Sequence, residues 1–182
     1  AVVAMTDPDP RVSGRGLARL EAAGTDVRLA DASEAAETAH QGHVKRLATG
    51  RPWVTLKLAI SRDGMIGRRD VGQVQITGPR ASAHVQALRS RYDGILVGSG
   101  TVAADDPQLT CRLPGLEHRS PVRIVLDTHG RTRPEARIFA ATNRVSVLRM
   151  VGRSAAQGSG TAFGRHVETL SMPERDGRLD LD

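Results

Sequence analysis

The stretch 94–112, GILVGSGTVAADDPQLTCR, limits the possible folds more than any other part of the chain. Ile95-Leu96-Val97 is a short apolar run of the kind a buried strand takes. It stops at Gly98-Ser99-Gly100-Thr101, which reads as a small flexible turn. Asp105 and Asp106 follow, Pro107 punctuates the segment, and a second short apolar stretch delivers Arg112. A strand feeding a glycine turn is where an α/β sheet usually receives a nucleotide, because backbone can approach the ligand closely there. The stretch therefore reads as the floor of a cofactor and substrate cleft, although Gly-Ser-Gly also occurs in ordinary turns.

Elements on either side suit such a sheet. Residues 53–60 alternate, with Val54, Leu56, Leu58 and Ile60 on one face and Thr55, Lys57 and Ala59 on the other, as in a half-buried strand. Asp63-Gly64 ends it in a turn. A helix is expected over 79–92, capped by Thr77, with Pro79 in its first turn. Strands are expected at 122–126, 144–150 and 166–172, with a polar connection over 129–143 and a Gly/Ser/Ala-rich mobile loop over 151–164. Residues 176–181 read as the start of a helix. Strands separated by long or helical connections imply mostly parallel pairing.

Residues 1–49 read as a separate first unit, and Gly50-Arg51-Pro52 as its boundary with 50–182. It holds an apolar strand-like start over 1–5, a helix over 15–23 stopped by Gly24, a short strand at 27–29, and one helix over 32–47 with Ser33 as N-cap. His40 and His43 lie on one face of that helix, but no third metal ligand is evident and a solvated pair is the simpler reading.

Charge and composition narrow the ligand class. Residues 1–50 carry a formal −1 and the rest +7, and Arg outnumbers Lys 24 to 2. The basic residues are scattered rather than blocked, which favours a small phosphate-bearing ligand over nucleic acid. Aromatic residues are only 2%, too few for the stacking platforms of single-strand binding. Cys111 is the lone cysteine, so neither an internal disulfide nor a thiolate zinc cluster is available. No signal-peptide pattern and no long apolar run is present, which leads to the expectation of a soluble, cytoplasmic protein.

Four segments together carry a resemblance: RPWVTLKLAISRDG at 51–64, ITG at 76–78, ILVGSGTVAADDPQLTCR at 95–112 and PVRIVLD at 121–127. The chain resembles the bifunctional riboflavin-biosynthesis deaminase–reductase family, in the reductase domain, from about residue 51 onward. AVVAMTDPDP at 1–10 and GRGL at 14–17 look like the closing part of that family's deaminase domain, whose zinc-binding His/Cys motif and catalytic Glu would lie upstream.

The resemblance implies a dihydrofolate-reductase-like fold, a mostly parallel sheet flanked by helices. It is incomplete at its C-terminus and follows a remnant of a cytidine-deaminase-like α/β domain. It implies NADPH-dependent reduction of 5-amino-6-(5-phosphoribosylamino)uracil to the ribitylamino form, coupled in the parent chain to pyrimidine deamination. Zinc belongs only to the deaminase part. It also implies residue roles: Ala59, Thr101, Asp105 and Thr128 at the cofactor, Arg89 and Arg112 on the substrate's phosphate, and Leu109 lining its pocket. Lys57 is assigned no role, and no proton donor is identified.

The family usually places a small polar residue and a tryptophan where this chain has Gln73 and Gln75, so those two roles are not transferred. The family's glycine-rich phosphate loop and an acidic substrate ligand would lie beyond residue 182, so the chain is expected to be inactive or nearly so by itself. The implied partner is a phosphorylated pyrimidine, with no nucleic acid and no membrane, and a homodimer is left open. The alternatives are a non-catalytic nucleotide-binding or assembly unit, a basic nucleic-acid-binding domain, and a dihydrofolate reductase proper, against which the 101–112 pattern speaks.

Overall fold

The computed structural model describes residues 1–31, 33–68, 71–140, 145–158 and 163–181. The chain divides into two compact units, Ala1–Lys57 and Leu58–Asp182. That division falls later than 49/50. Residues 50–57 group with the first unit, where the Lys45 ammonium lies 5.6 Å from the centre of the Trp53 ring.

In the first unit, β1 (Val2–Val3) and β2 (Arg28–Leu29) pair in parallel around α1 (Arg15–Ala22). Gly24 stops the chain after α1 in the left-handed region, φ 81°, which glycine enters without steric cost. The single helix expected over 32–47 is two, α2 (Ser33–Ala39) and α3 (Gln41–Thr49). They part at His40, whose φ of −111° leaves the helical range. Ser33 is thus the first helical residue rather than a cap, and residue 32 lies outside the described residues. His40 and His43 are both exposed, and among the described residues no group of three or more His, Cys, Asp and Glu side chains could hold a metal ion.

The second unit is built on a four-stranded, wholly parallel sheet in the order β3 (Gly94–Gly98), β4 (Val122–Leu126), β5 (Val147–Gly152), β6 (Val167–Met172). It is preceded by α4 (Pro79–Arg89) and carries α5 (Ser99–Asp105) and α6 (Arg153–Gly158) in its connections. The α/β expectation of a mostly parallel sheet flanked by helices holds. One sheet face is the core: Val125 and Val147 are fully buried and pack with Val102, Leu109, Ile138 and Phe139. The same face holds two buried arginines, Arg123 and Arg149.

Each arginine is handled differently. Arg149 donates to the Asp127 carboxylate through Nη2 at 2.8 Å and Nε at 3.0 Å, and its guanidinium lies 4.6 Å from the centre of the Phe163 ring. Arg123 donates to the carbonyls of Ile138 and Val145, and burial pushes its pKa below the usual arginine value.

Five local expectations are corrected. Residues 53–60 form no strand, and Val54, Leu56, Leu58 and Ile60 are 51–79% exposed. Alternation makes a strand only where a neighbour accepts its ladder bonds, and no strand among the described residues pairs with it. The 98–101 turn is instead the start of α5, with Gly98 as N-cap. Residues 151–164 contribute the end of β5 and α6, while 159–162 lie outside the described residues. The expected terminal helix is a hairpin of β7 (Glu174–Arg175) and β8 (Arg178–Leu179). Asp176 and Gly177 sit at φ 52° and 72°, the two positive values that a tight hairpin turn of the Asp-Gly kind uses. Helix α4 ends at Arg89 and is capped by Gly78 rather than Thr77. The expected strand start at residue 144 lies outside the described residues.

Candidate active site

Helix α4 ends on Arg89, and the segment 109–112 is fastened beside it. Gln86, one turn before Arg89 and on the same helical face, accepts from the Arg112 backbone N–H at 2.9 Å. The Cys111 backbone N–H donates to Ser120 Oγ at 3.0 Å. Leu109, Thr110 and Cys111 are all buried, and this burial holds Leu109 at φ 57°, a conformation that costs a non-glycine residue free energy. Helix α4 and the segment after α5 are thereby held together at one point, and Arg112 projects from that point.

The result is a cleft of about 330 Å³ lined by Gln73, Arg89, Asp105, Pro107, Gln108, Leu109, Arg112 and Arg137. Arg89 is half-buried. Its Nη1 donates to the Thr110 carbonyl at 3.1 Å, while its Nε is buried and has no hydrogen-bond partner. Burial lowers the Arg89 pKa, and the Arg112 charge lowers it further. Among the described residues Arg112 Nη1 reaches the neutral Gln108 Oε1 alone, at 3.5 Å. Among the described residues no carboxylate forms a salt bridge with Arg89, Arg112 or Arg137, although Asp105 lines the same cleft.

Two like charges held together with a buried donor left open is a costly arrangement for an empty protein and a favourable one for an anion. A tetrahedral phosphate presents several acceptor oxygens, so it can take hydrogen bonds from both guanidinium groups at once.

Four residues singled out in the sequence meet in this cleft: Arg89, Asp105, Leu109 and Arg112. Ala59, Thr101 and Thr128 do not line it. Ala59 is half-buried in the segment before α4, and Thr101 is exposed on α5. Thr128 follows β4, where its carbonyl accepts from the Gly152 N–H at 3.0 Å. A Cβ at Gly152 would lie 2.9 Å from that carbonyl, so the ends of β4 and β5 meet this closely only through a glycine.

The carboxyl ends of β3 and β4 are level, since Gly98 pairs with Leu126. A Cβ built at Gly98 or Gly100 would meet nothing within 4 Å. Backbone is thus open at the carboxyl edge of the parallel sheet.

The loop beyond β4 is pinned by Asp127, which is fully buried. Its carboxylate accepts from the Arg131 and Thr132 backbone N–H groups at 2.7 and 3.1 Å, and from Thr132 Oγ1 at 2.6 Å, as well as from Arg149. Thr128 therefore sits on a loop whose two ends are fixed.

Residue-level reading missed Gln73, Pro107, Gln108 and Arg137. Gln73 attracted notice only as a departure from the family's pattern, and Gln108 lies inside the recognised stretch. Arg137 gave no signal within the polar run 129–143, because its place in the cleft comes from tertiary folding.

The RibD C-terminal domain family matches residues 52–159. The riboflavin biosynthesis protein RibD of Escherichia coli (strain K12) is 38% identical over 191 residues, taking in 99% of this chain and 50% of that protein. RibD of Chlamydia trachomatis is 40% identical over 139 residues, 75% of this chain and 37% of that protein. Among solved structures, the diaminohydroxyphosphoribosylaminopyrimidine deaminase/5-amino-6-(5-phosphoribosylamino)uracil reductase of Thermotoga maritima superposes with a TM-score of 0.78 at 32% identity, over 92% of this chain and 45% of that one. Acinetobacter baumannii RibD gives 0.77 at 32% identity, over 95% of this chain and 48% of that one. The chain spans half or less of the length of these relatives.

Proposed function

Because the chain belongs to the RibD C-terminal domain family, we propose that it takes part in riboflavin biosynthesis, in the NADPH-dependent reduction of 5-amino-6-(5-phosphoribosylamino)uracil to its ribitylamino form. A pyrimidine substrate and a nicotinamide cofactor follow from the family; the phosphate ester and the choice of NADPH are the finer parts of this reading. Residues 1–49 are read as the closing part of a deaminase domain, and the protein as cytoplasmic. Among the described residues no helix is long and apolar enough to cross a membrane.

The observation that carries the reading is the unneutralised guanidinium pair, Arg89 with its buried open Nε and Arg112 beside it. In this reading they grip the substrate's phosphate while Leu109 packs against its sugar. Ala59, Thr101, Asp105 and Thr128 hold the dinucleotide along the open carboxyl edge of β3 and β4. The cofactor supplies the hydride, and the chain's own residues orient the two ligands face to face and keep water from between them. A non-catalytic nucleotide-binding unit is not favoured, because such a unit needs no second anion site beside the dinucleotide.

The test is equilibrium binding. Arg112→Ala is expected to weaken the phosphorylated pyrimidine about tenfold or more, the worth of a charge-assisted hydrogen bond, and to leave NADPH affinity unchanged. Equal substrate affinities for the variant and the wild type would refute the phosphate grip.

A further inference from the structure

A third arginine, Arg137, lines the cleft, and no family role covers it. We propose that Arg137 completes the phosphate site and makes it selective for a dianionic phosphate monoester; the inference rests on the phosphate reading of this cleft given above. Three observations carry it.

Arg137 lines the same cleft as Arg89 and Arg112. Its backbone is fixed on both sides. The Arg137 N–H donates at 2.8 Å to Oδ1 of Asp106, the left-handed residue that ends α5. The next two residues, Ile138 and Phe139, are 0% and 4% exposed in the core. An arginine on an ordinary solvated loop has no such anchorage. Here a carboxylate at the end of α5 and two core side chains hold the backbone of Arg137, an exposed residue that lines the cleft.

Charge supplies the third observation. With Asp105 as the carboxylate in the lining, Arg89 and Arg112 alone leave the cleft at +1, and Arg137 raises it to +2. A phosphate monoester carries about −1.5 to −2 near pH 7. Two arginines would leave that anion about half neutralised, whereas three match it. No carboxylate among the described residues forms a salt bridge with Arg137, so its charge is available to a ligand.

A phosphate could come from the substrate's sugar or from the dinucleotide, and titration calorimetry on the full chain separates the two. The probes are ribose 5-phosphate, ribose and NADPH, each at several salt concentrations. For Arg137→Gln, the Kd for ribose 5-phosphate is expected to rise about tenfold, as for the loss of a charge-assisted contact. The salt dependence of that Kd should flatten, with ribose and NADPH unchanged. Arg137→Lys should keep the salt dependence while recovering only part of the affinity, because an ammonium keeps the charge but not the fork.

If Arg137→Gln binds ribose 5-phosphate as the wild type does while Arg112→Ala does not, the inference is overturned and the two-arginine site stands. If Arg137→Gln loses NADPH and keeps ribose 5-phosphate, the inference is also overturned, and the anion belongs to the dinucleotide. If the wild type does not bind ribose 5-phosphate, or Arg112→Ala binds it equally well, the phosphate reading falls and the inference with it.

Discussion

Arg89 shows how one side chain can be poorly placed for stability and well placed for binding. Its guanidinium is half-buried, keeps one open donor and faces another cation. An anion that binds only the folded state relieves all three conditions, and it stabilises that state by mass action. Inorganic phosphate is therefore expected to raise the Tm of the wild type progressively with concentration and to leave that of Arg89→Met unchanged, as read by calorimetry.

Asp127 represents the opposite case, a buried charge with every neighbour satisfied. Asp127→Ala would strand Arg149 in the core, and a loss of about 3–5 kcal/mol in urea denaturation is expected; a loss under 1 kcal/mol would contradict the buried pair.

In the first unit, hydrogen bonds from the Arg11 side chain lower the Asp9 pKa from 3.8 to about 2. A depressed carboxylate stabilises above its unfolded pKa and loses that contribution as pH falls through the folded value. An NMR titration should find the Asp9 midpoint near 2.

Resemblance was enough to single out Arg89, Asp105, Leu109 and Arg112, which line one cleft. Gln73 and Arg137 were not legible, because their membership in the cleft depends on where segments far apart in the chain come to lie.

At the scale of elements, strands and helices were readable where the local pattern found a partner. Strands β3 and β4 were expected at 95–97 and 122–126, and they form because each has a parallel neighbour, with Ile95 and Val97 half-buried on β3 and Arg123 and Val125 buried on β4. The stretch 53–60 has the cleaner alternation but no ladder partner among the described residues. Period two is thus a statement about faces, and pairing has to be supplied from elsewhere in the fold. Leu56, 79% exposed, tests this. Leu56→Ser is expected to change unfolding stability by less than about 0.5 kcal/mol, the usual range for surface substitutions. A loss near 3 kcal/mol, the size expected for a buried leucine, would show that the segment is packed as a strand. The terminal hairpin was misread as the start of a helix, although Asp176-Gly177 already carried the turn chemistry.

For the molecule as a whole, the first unit holds a two-stranded parallel ladder with its helices, and the second holds the parallel sheet and the cleft. The parallel sheet was legible because long connections between short apolar runs leave little room for antiparallel hairpins.

In the proposed function the arginine-lined cleft of the second unit binds a phosphate monoester. Phosphorus-31 NMR of ribose 5-phosphate titrated with the chain tests it most directly. A saturable shift of the phosphate resonance is expected with the wild type and none with an Arg89→Met, Arg112→Ala double variant that remains folded. The same saturable shift in both proteins would contradict it.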